Sequence, residues 1–269
     1  MGEVTSLNYK ALGISGNSQL GSDSKSTGKT DFTDGLSASE LKQIDKDGDG
    51  IITEAEFKKA YKGEDADKYW ATYTSFYKSS TKKNANGTSS VTQTLDDGTK
   101  VQSNFDKDGN LTGYKKVATG KDDSTTTIVY NKDGSKSTKT IVLEDGSASK
   151  YNYKTKAWSH KSVDGSVVST NSKGNVTSVN AGNTKASFSY NSDGKTLKSV
   201  KLGDTTYTNV SVNSSGNYTV KDSNGKVVLT LSKRDNGDVA LIRYSNGKKV
   251  EGIDLNSDCE PRSIYSYDK

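Results

Sequence analysis

Glycine follows aspartate or asparagine repeatedly along the last two thirds of this chain, and that beat limits what the chain can fold into. From about Val91 onward the pairs include Asp97-Gly98, Asp108-Gly109, Asp133-Gly134, Asp145-Gly146, Asp164-Gly165, Asp193-Gly194, Asn224-Gly225, Asn236-Gly237 and Asn246-Gly247, with Lys173-Gly174-Asn175 among them. Asp-Gly and Asn-Gly favour two-residue hairpin turns, because both residues tolerate positive φ. Between the turns the side chains alternate in kind, as they do on strands whose successive residues point to opposite faces. Ala186, Phe188 and Tyr190 share a face, as do Ile128 and Tyr130, and Tyr151 and Tyr153. Turn glycines spaced by about 9 to 14 residues, with some longer intervals between them, predict about fifteen strands in an up-and-down antiparallel meander.

Composition narrows the kind of sheet. Only 29% of the 269 residues are hydrophobic, and the mean hydropathy is −0.82. That is too little apolar side chain for a thick core. The 15 tyrosines, with many Thr and Val, favour strands over disorder. A thin sheet with solvated faces, single-layer or rolled, is the expected form. The most apolar stretch, Val227 to Tyr244, is expected to be its best-buried part and the place where the sheet folds over. The one cysteine, Cys259, excludes an internal disulfide and Cys-x-x-Cys metal sites. No apolar run approaches the roughly 20 residues that span a bilayer.

Residues 45 to 56, Asp-Lys-Asp-Gly-Asp-Gly-Ile-Ile-Thr-Glu-Ala-Glu, carry a separate chemistry. Calcium needs about six to eight oxygens from a loop that wraps around it. Asp45, Asp47 and Asp49 offer carboxylates at loop positions 1, 3 and 5, and Gly50 permits the sharp turn at position 6. Ile51 offers its backbone carbonyl, Thr53 acts through a water at position 9, and Glu56 closes the shell with both oxygens at position 12. Upstream, Ser37-Ala-Ser-Glu40 reads as a capping box that starts a short helix carrying Leu41 and Ile44. Downstream, Phe57, Ala60 and Tyr61 recur at helical spacing. Residues 37 to 61 resemble the EF-hand family, the calmodulin and parvalbumin type of helix-loop-helix. The resemblance implies bound Ca2+ and a short β-contact at Ile52. EF-hands usually occur in pairs, and the sequence offers one. Beyond it, Ala66, Tyr69, Trp70, Tyr73, Phe76 and Tyr77 form a helical stripe that is expected to pack on the single hand, the other reading being a partner-binding helix that calcium exposes.

Other Asp-rich turns imitate the loop without completing it. Asp106-Lys-Asp-Gly-Asn110 has its glycine two positions early and reaches Val117 at position 12, and the turns at Asn131 and Asn191 reach Val142 and Leu202. The runs Phe105-Asp-Lys-Asp-Gly-Asn110, Tyr130-Asn-Lys-Asp-Gly134 and Tyr190-Asn-Ser-Asp-Gly194 resemble bacterial YD/RHS-type β-hairpin repeats. That resemblance implies a curled or extended surface sheet in a bacterium, not an activity.

Residues 1–83 hold 12 Lys/Arg against 13 Asp/Glu and residues 84–269 hold 26 against 20, which together make the whole-chain 38 and 33. Lysines scattered among carboxylates keep a sheet soluble and block edge pairing, so nucleic-acid binding is not expected. Catalysis has little inventory. His160 stands alone, without a Gly-x-Ser-x-Gly elbow, and Cys259 lies in a turn-like run; both are expected to be exposed strand and loop residues. The expected organisation is α+β: a flexible Ser/Gly-rich segment (1–30), an EF-hand helical module (31–83) and an antiparallel β-repeat domain (84–269). No charged and then apolar leader opens the chain, which leaves the cytoplasm, a removed leader or leaderless export; the extracellular space or cell surface is the reading taken. The expected function is a calcium-binding structural or adhesion protein with no enzymatic activity, meeting a glycan or another surface protein. An alternative is a carbohydrate- or ligand-binding module using Tyr and Trp158 on one sheet face, and a third reading is a polysaccharide-acting enzyme with paired carboxylates.

Overall fold

The computed structural model describes residues 6–7, 43–46, 52–61, 66–67, 70, 78–94 and 98–267. The Ser37–Glu40 capping box, the loop residues Asp47, Asp49 and Ile51, and Tyr69, Tyr73, Phe76 and Tyr77 of the aromatic stripe lie outside the described residues, as does most of segment 1–30.

Among the described residues antiparallel β-structure dominates, and a short helix, α1, spans Glu54–Ala60. Strand β1 (Ser6–Leu7) pairs with β2 (Ile52–Thr53). A thirteen-stranded sheet follows chain order without a crossover. Its strands are β3 (Lys78–Lys83), β4 (Ser89–Thr94), β5 (Lys100–Phe105), β6 (Leu111–Thr119), β7 (Thr125–Asn131), β8 (Lys136–Val142), β9 (Ala148–Asn152), β10 (Ala157–Lys161), β11 (Val167–Thr170), β12 (Val176–Ala181), β13 (Thr184–Tyr190), β14 (Leu197–Leu202) and β15 (Thr205–Tyr207). A six-stranded sheet, again in chain order, holds β16 (Asn209–Val212), β17 (Tyr218–Lys221), β18 (Val227–Lys233), β19 (Val239–Ser245), β20 (Lys248–Leu255) and β21 (Pro261–Ser266). The meander is therefore two meanders, and it has more strands than the Asp-Gly and Asn-Gly pairs predict. The extra hairpins turn on pairs outside that rule, such as Gly182-Asn183 and Gly203-Asp204. The change of sheet falls at Thr208, before the apolar Val227–Tyr244 stretch.

The turns differ from the expected two-residue type. In Asp106–Asn110, Asn131–Ser135, Asn171–Asn175 and Asp222–Lys226, the first residue exchanges its N–H with the carbonyl of the fifth, and the glycine N–H donates back to the first carbonyl. This is a three-residue loop, a type I turn closed by a glycine in the left-handed region. Only the glycine takes positive φ, as at Gly225 (φ 78°). A turn side chain serves as acceptor instead: in some turns the Asp before the glycine, as Asp133 from Ser135 N at 2.9 Å and Asp164 from Ser166 N at 2.9 Å, and in others the first residue, as Asp106 from Asn110 N at 2.9 Å and Asp222 from Lys226 N at 2.8 Å. Asn246-Gly247, with φ of 52° and 78°, is the pair that behaves as expected.

The chain divides into two compact units, Met1–Lys121 with Thr125–Ser137, and Asp122–Ser124 with Thr138–Lys269. In the first, Val91, Val101, Phe105, Leu111 and Tyr114 gather on one face of β4–β6, with the Tyr114 and Tyr130 rings stacked at 4.6 Å. In the second, one continuous apolar core joins both sheets. Val168, Val179, Phe188 and Val200 of β11–β14 meet Val220, Leu229, Leu241 and Ile253 of β17–β20. A buried polar clamp lies beside it. Glu251 Oε1 accepts from Asn183 N at 2.8 Å, its Oε2 accepts from the Thr184 hydroxyl, and Arg243 Nε donates to Thr184 Oγ1 at 3.2 Å. Gly182 turns there at φ +55°, and a Cβ on it would stand 2.6 Å from Glu251 Oε1, so both the turn and the clamp require glycine. By contrast β7, β8 and β9 bury no residue on either face, which is the thin sheet the composition implies.

Two substitutions separate turn from core in urea unfolding. Gly225→Ala, with open space around the glycine, should lower stability by about 1–2 kcal/mol through the left-handed backbone alone, and Gly225→Asn by clearly less. Leu241→Ala, at a fully buried position, should cost about 2–5 kcal/mol. Equal losses for alanine and asparagine at position 225 would refute the backbone account.

Candidate functional site

The loop of residues 45–56 is described at both ends. Asp45 is buried beside Ile44. Ten residues on, Glu56 Oε1 accepts from Lys46 N at 3.3 Å, so the second and twelfth loop positions meet. Thr53 caps α1: its Oγ1 accepts from Glu56 N at 3.2 Å, and Glu56 Oε2 accepts from Thr53 N at 2.9 Å. Ninth and twelfth positions thus form a reciprocal capping box, which pins Glu56 at the start of the helix. Ile52 makes a β-contact, but with Leu7 of β1 and not between two loops as the resemblance implies. Phe57, fully buried, stacks on Tyr61 at 4.7 Å and meets Trp70 at 5.2 Å, so that member of the stripe packs inward. Thr53 and Glu56 are therefore brought together, and Glu56 reaches the backbone of Lys46, the residue after Asp45, while Asp47, Asp49 and Ile51 are not described. Among the described residues no group of three or more His, Cys, Asp or Glu side chains is placed to hold a metal.

A second feature lies wholly in the unit of residues 138–269. It is a hollow of about 700 Å³ over β8–β11, closed on one side by the β20–β21 loop. Strand register builds its wall. Trp158 stands opposite Tyr151, and His160 opposite Ser149, so period-two alternation puts all four on one face. The Tyr151 and Trp158 rings lie 4.9 Å apart, and Trp158 and His160 are nearly parallel at 5.7 Å. The β10–β11 register, with Ser159 opposite Ser169, sets Thr170 beside Trp158, and Thr170 Oγ1 accepts from Trp158 N at 3.3 Å. The other wall depends on Cys259, which occupies the turn position that glycine holds in sister turns, at φ 65°, and is buried in the apolar core. With Cys259 anchored inward, its neighbours Asp258 and Glu260 line the hollow. Lys156, Ser172 and Asp258 form an exposed polar rim.

Hydrogen bonding defines the floor. Ser149 Oγ lies 2.8 Å from His160 Nδ1 and donates to Glu260 Oε1 at 3.1 Å. A hydroxyl has one proton, and the Glu260 carboxylate accepts it. Ser149 therefore accepts from Nδ1–H, and the neutral imidazole carries its proton on Nδ1. Nε2 is buried and finds no hydrogen-bond partner among the described residues. Burial holds the His160 pKa below its ordinary value, against the opposing charges of Glu260 and Asp258. In a catalytic triad the serine and the acid occupy opposite ring nitrogens; here both crowd Nδ1. Burial also raises the Cys259 thiol pKa, and its Sγ faces Gly174 O at 3.5 Å, so it stays protonated at neutral pH. Sequence reasoning singled out Trp158 and His160 but missed Ser149, Asp258 and Glu260. Period two could have paired Ser149 with His160, yet nothing local signals a partner 111 residues away.

No protein-family model matches the chain, and no curated protein matches it. Among solved structures it is similar to the G-box domain of the microcephaly protein CPAP, at 12% identity and a TM-score of 0.25, over 71% of this chain and all of that one. The TCP10 domain of Danio rerio CPAP in complex with a Danio rerio STIL peptide gives 12% identity and a TM-score of 0.19 over the same shares. The TCP10c domain of Drosophila melanogaster Sas-4 gives 12% and 0.18, again over 71% of this chain and all of that one. At such TM-scores the likeness carries no argument about fold or function. Among the described residues no helix is long and apolar enough to cross a membrane.

The buried, neutral His160 makes a pH prediction. With the folded pKa below the unfolded value of about 6.5, the unfolded chain takes up the proton first as pH falls. Thermal stability should therefore decline on acidification from about pH 6.5 towards the lowered folded pKa. His160→Gln should flatten that part of the profile, and an unchanged slope would show that another group carries it.

Proposed function

We propose that this protein is a calcium-binding structural or adhesive protein of a bacterial cell surface or extracellular space, in which one EF-hand-type loop orders the helical segment ahead of a β-repeat sheet. The observation that carries the reading is the closure of the loop on itself, with Glu56 meeting Lys46 N while Thr53 caps the helix that Glu56 begins. This holds the twelfth-position carboxylate beside the first loop residues, where a bidentate calcium ligand belongs. The residues that would hold the ion are Asp45, Asp47, Asp49 and Glu56 through their carboxylates, Ile51 through its carbonyl and Thr53 through a water. Its role is to neutralise carboxylates that otherwise repel one another and to tie the loop to α1. The β-contact of Ile52 with Leu7 supplies the pairing that a second hand gives elsewhere. A solitary loop of this kind suits the extracellular end of the EF-hand affinity range, about 10⁻⁴ to 10⁻³ M. Binding and scaffolding, not turnover, is the proposed role.

Titration calorimetry on the full chain tests this. Calcium should bind at one site and raise the melting temperature, by the equivalent of about 2.7 kcal/mol at one hundred times its Kd. Glu56→Gln should abolish the heat and the shift, and a chelator should reverse both. Absence of heat together with an unmoved melting temperature would sink the proposal.

A further inference from the structure

Beyond the calcium reading, and independent of it, we propose that the hollow over β8–β11 is a carbohydrate-binding site that takes a neutral sugar ring against Trp158 and Tyr151. Three observations converge. The wall is a half-buried aromatic strip, with Trp158 standing between Tyr151 at 4.9 Å and His160 at 5.7 Å. The Tyr151 ring is tilted 46° to Trp158, so the two offer an angled aromatic wall whose Trp158 face can take the C–H face of a pyranose, and apolar walls with a few placed polar groups are the usual form of small-ligand sites. The space, about 700 Å³, accommodates more than one sugar residue.

The polar groups decide the class of ligand. Lys156 and Asp258 stand exposed at the rim, and Ser172 and Ser257 bring hydroxyls to it. Sugar hydroxyls both donate and accept, so they can satisfy this mixed set. An organic cation would also favour the rings and carboxylates, but the charge inside the hollow is already committed. Glu260 accepts from Ser149 Oγ at 3.1 Å and from Asn256 Nδ2 at 2.8 Å. The Lys156 ammonium at the same rim repels a second cation. A wholly apolar ligand would strip water from Lys156 and Asp258 without replacing it. Asn171, though it lines the hollow, is engaged elsewhere: its Nδ2 donates to Gly194 O at 2.8 Å, and its Oδ1 accepts from Lys173 N at 2.9 Å. Recognition therefore falls to the rings and the rim.

The test is titration calorimetry of the full chain with cellohexaose, chitohexaose and xylohexaose, and separately with tetramethylammonium chloride. Saturable binding of at least one oligosaccharide is expected. Trp158→Ala should weaken it at least tenfold, and Tyr151→Ala and Asp258→Ala by several-fold. Trp70→Phe, in the other unit, should leave it unchanged. Trp158→Phe keeps a smaller ring for a fold-preserving check and should give an intermediate loss. Equal melting temperatures for wild type and Asp258→Ala tie the loss to binding. Binding of tetramethylammonium alone, no heat with any oligosaccharide, or oligosaccharide binding that survives Trp158→Ala would each overturn the proposal. Running every titration with calcium and with chelator keeps the two readings apart: oligosaccharide heat without calcium heat sinks only the calcium loop, and the reverse sinks only this site.

Discussion

The apolar contact between β11–β14 and β17–β20 carries the second unit. With 29% hydrophobic residues, the chain cannot build many such contacts, and it concentrates its fully buried Val, Leu and Ile here. Burying apolar area gives about 25 cal/mol per Å², so strands with no fully buried residue, such as β8 and β9, depend mostly on their backbone ladders and cross-strand pairs. The Glu251 clamp adds specificity. A buried carboxylate tolerates only the register in which Asn183 N and the Thr184 hydroxyl reach it.

That same core positions the hollow. Cys259 adopts a backbone conformation that costs about 1–3 kcal/mol for a residue with a Cβ, and its burial among the core side chains offsets the cost. The loop it anchors brings Glu260 to Ser149 and His160, closing a polar floor under an aromatic wall. The hollow thus forms where the doubly packed region gives way to the thin one. There, side chains of a single sheet face are left uncovered and a neighbouring loop can overhang them.

The loop of residues 45–56 stands apart, in the other unit. Its closure is local: Thr53 and Glu56 cap the helix they begin, and Glu56 reaches back ten residues. Local geometry of this kind is what a twelve-residue motif can specify. Thr53 and Glu56, named from the sequence for another role, could be found that way, whereas the floor of the hollow, joined across 111 residues, could not.

The sequence by itself determined the antiparallel class and the hairpin rhythm, because turn residues and period-two alternation act within a few positions. It also determined that much of the sheet would be thin, since composition limits burial wherever the chain goes. It did not foresee that Thr53 and Glu56 cap α1, and it misjudged the turn type: the glycine alone takes positive φ, and an Asp or Asn side chain of the turn serves as an acceptor, a division of labour that the pair Asp-Gly does not reveal. The tertiary structure decided the rest. It decided that the meander breaks at Thr208, that Val168 and Phe188 meet Leu229 and Leu241, and that Cys259 turns inward to present Asp258 and Glu260 to Trp158 and His160. Those outcomes depend on which solvated faces find a partner far along the chain, and that choice is made by packing a scarce supply of apolar side chains, not by any local pattern.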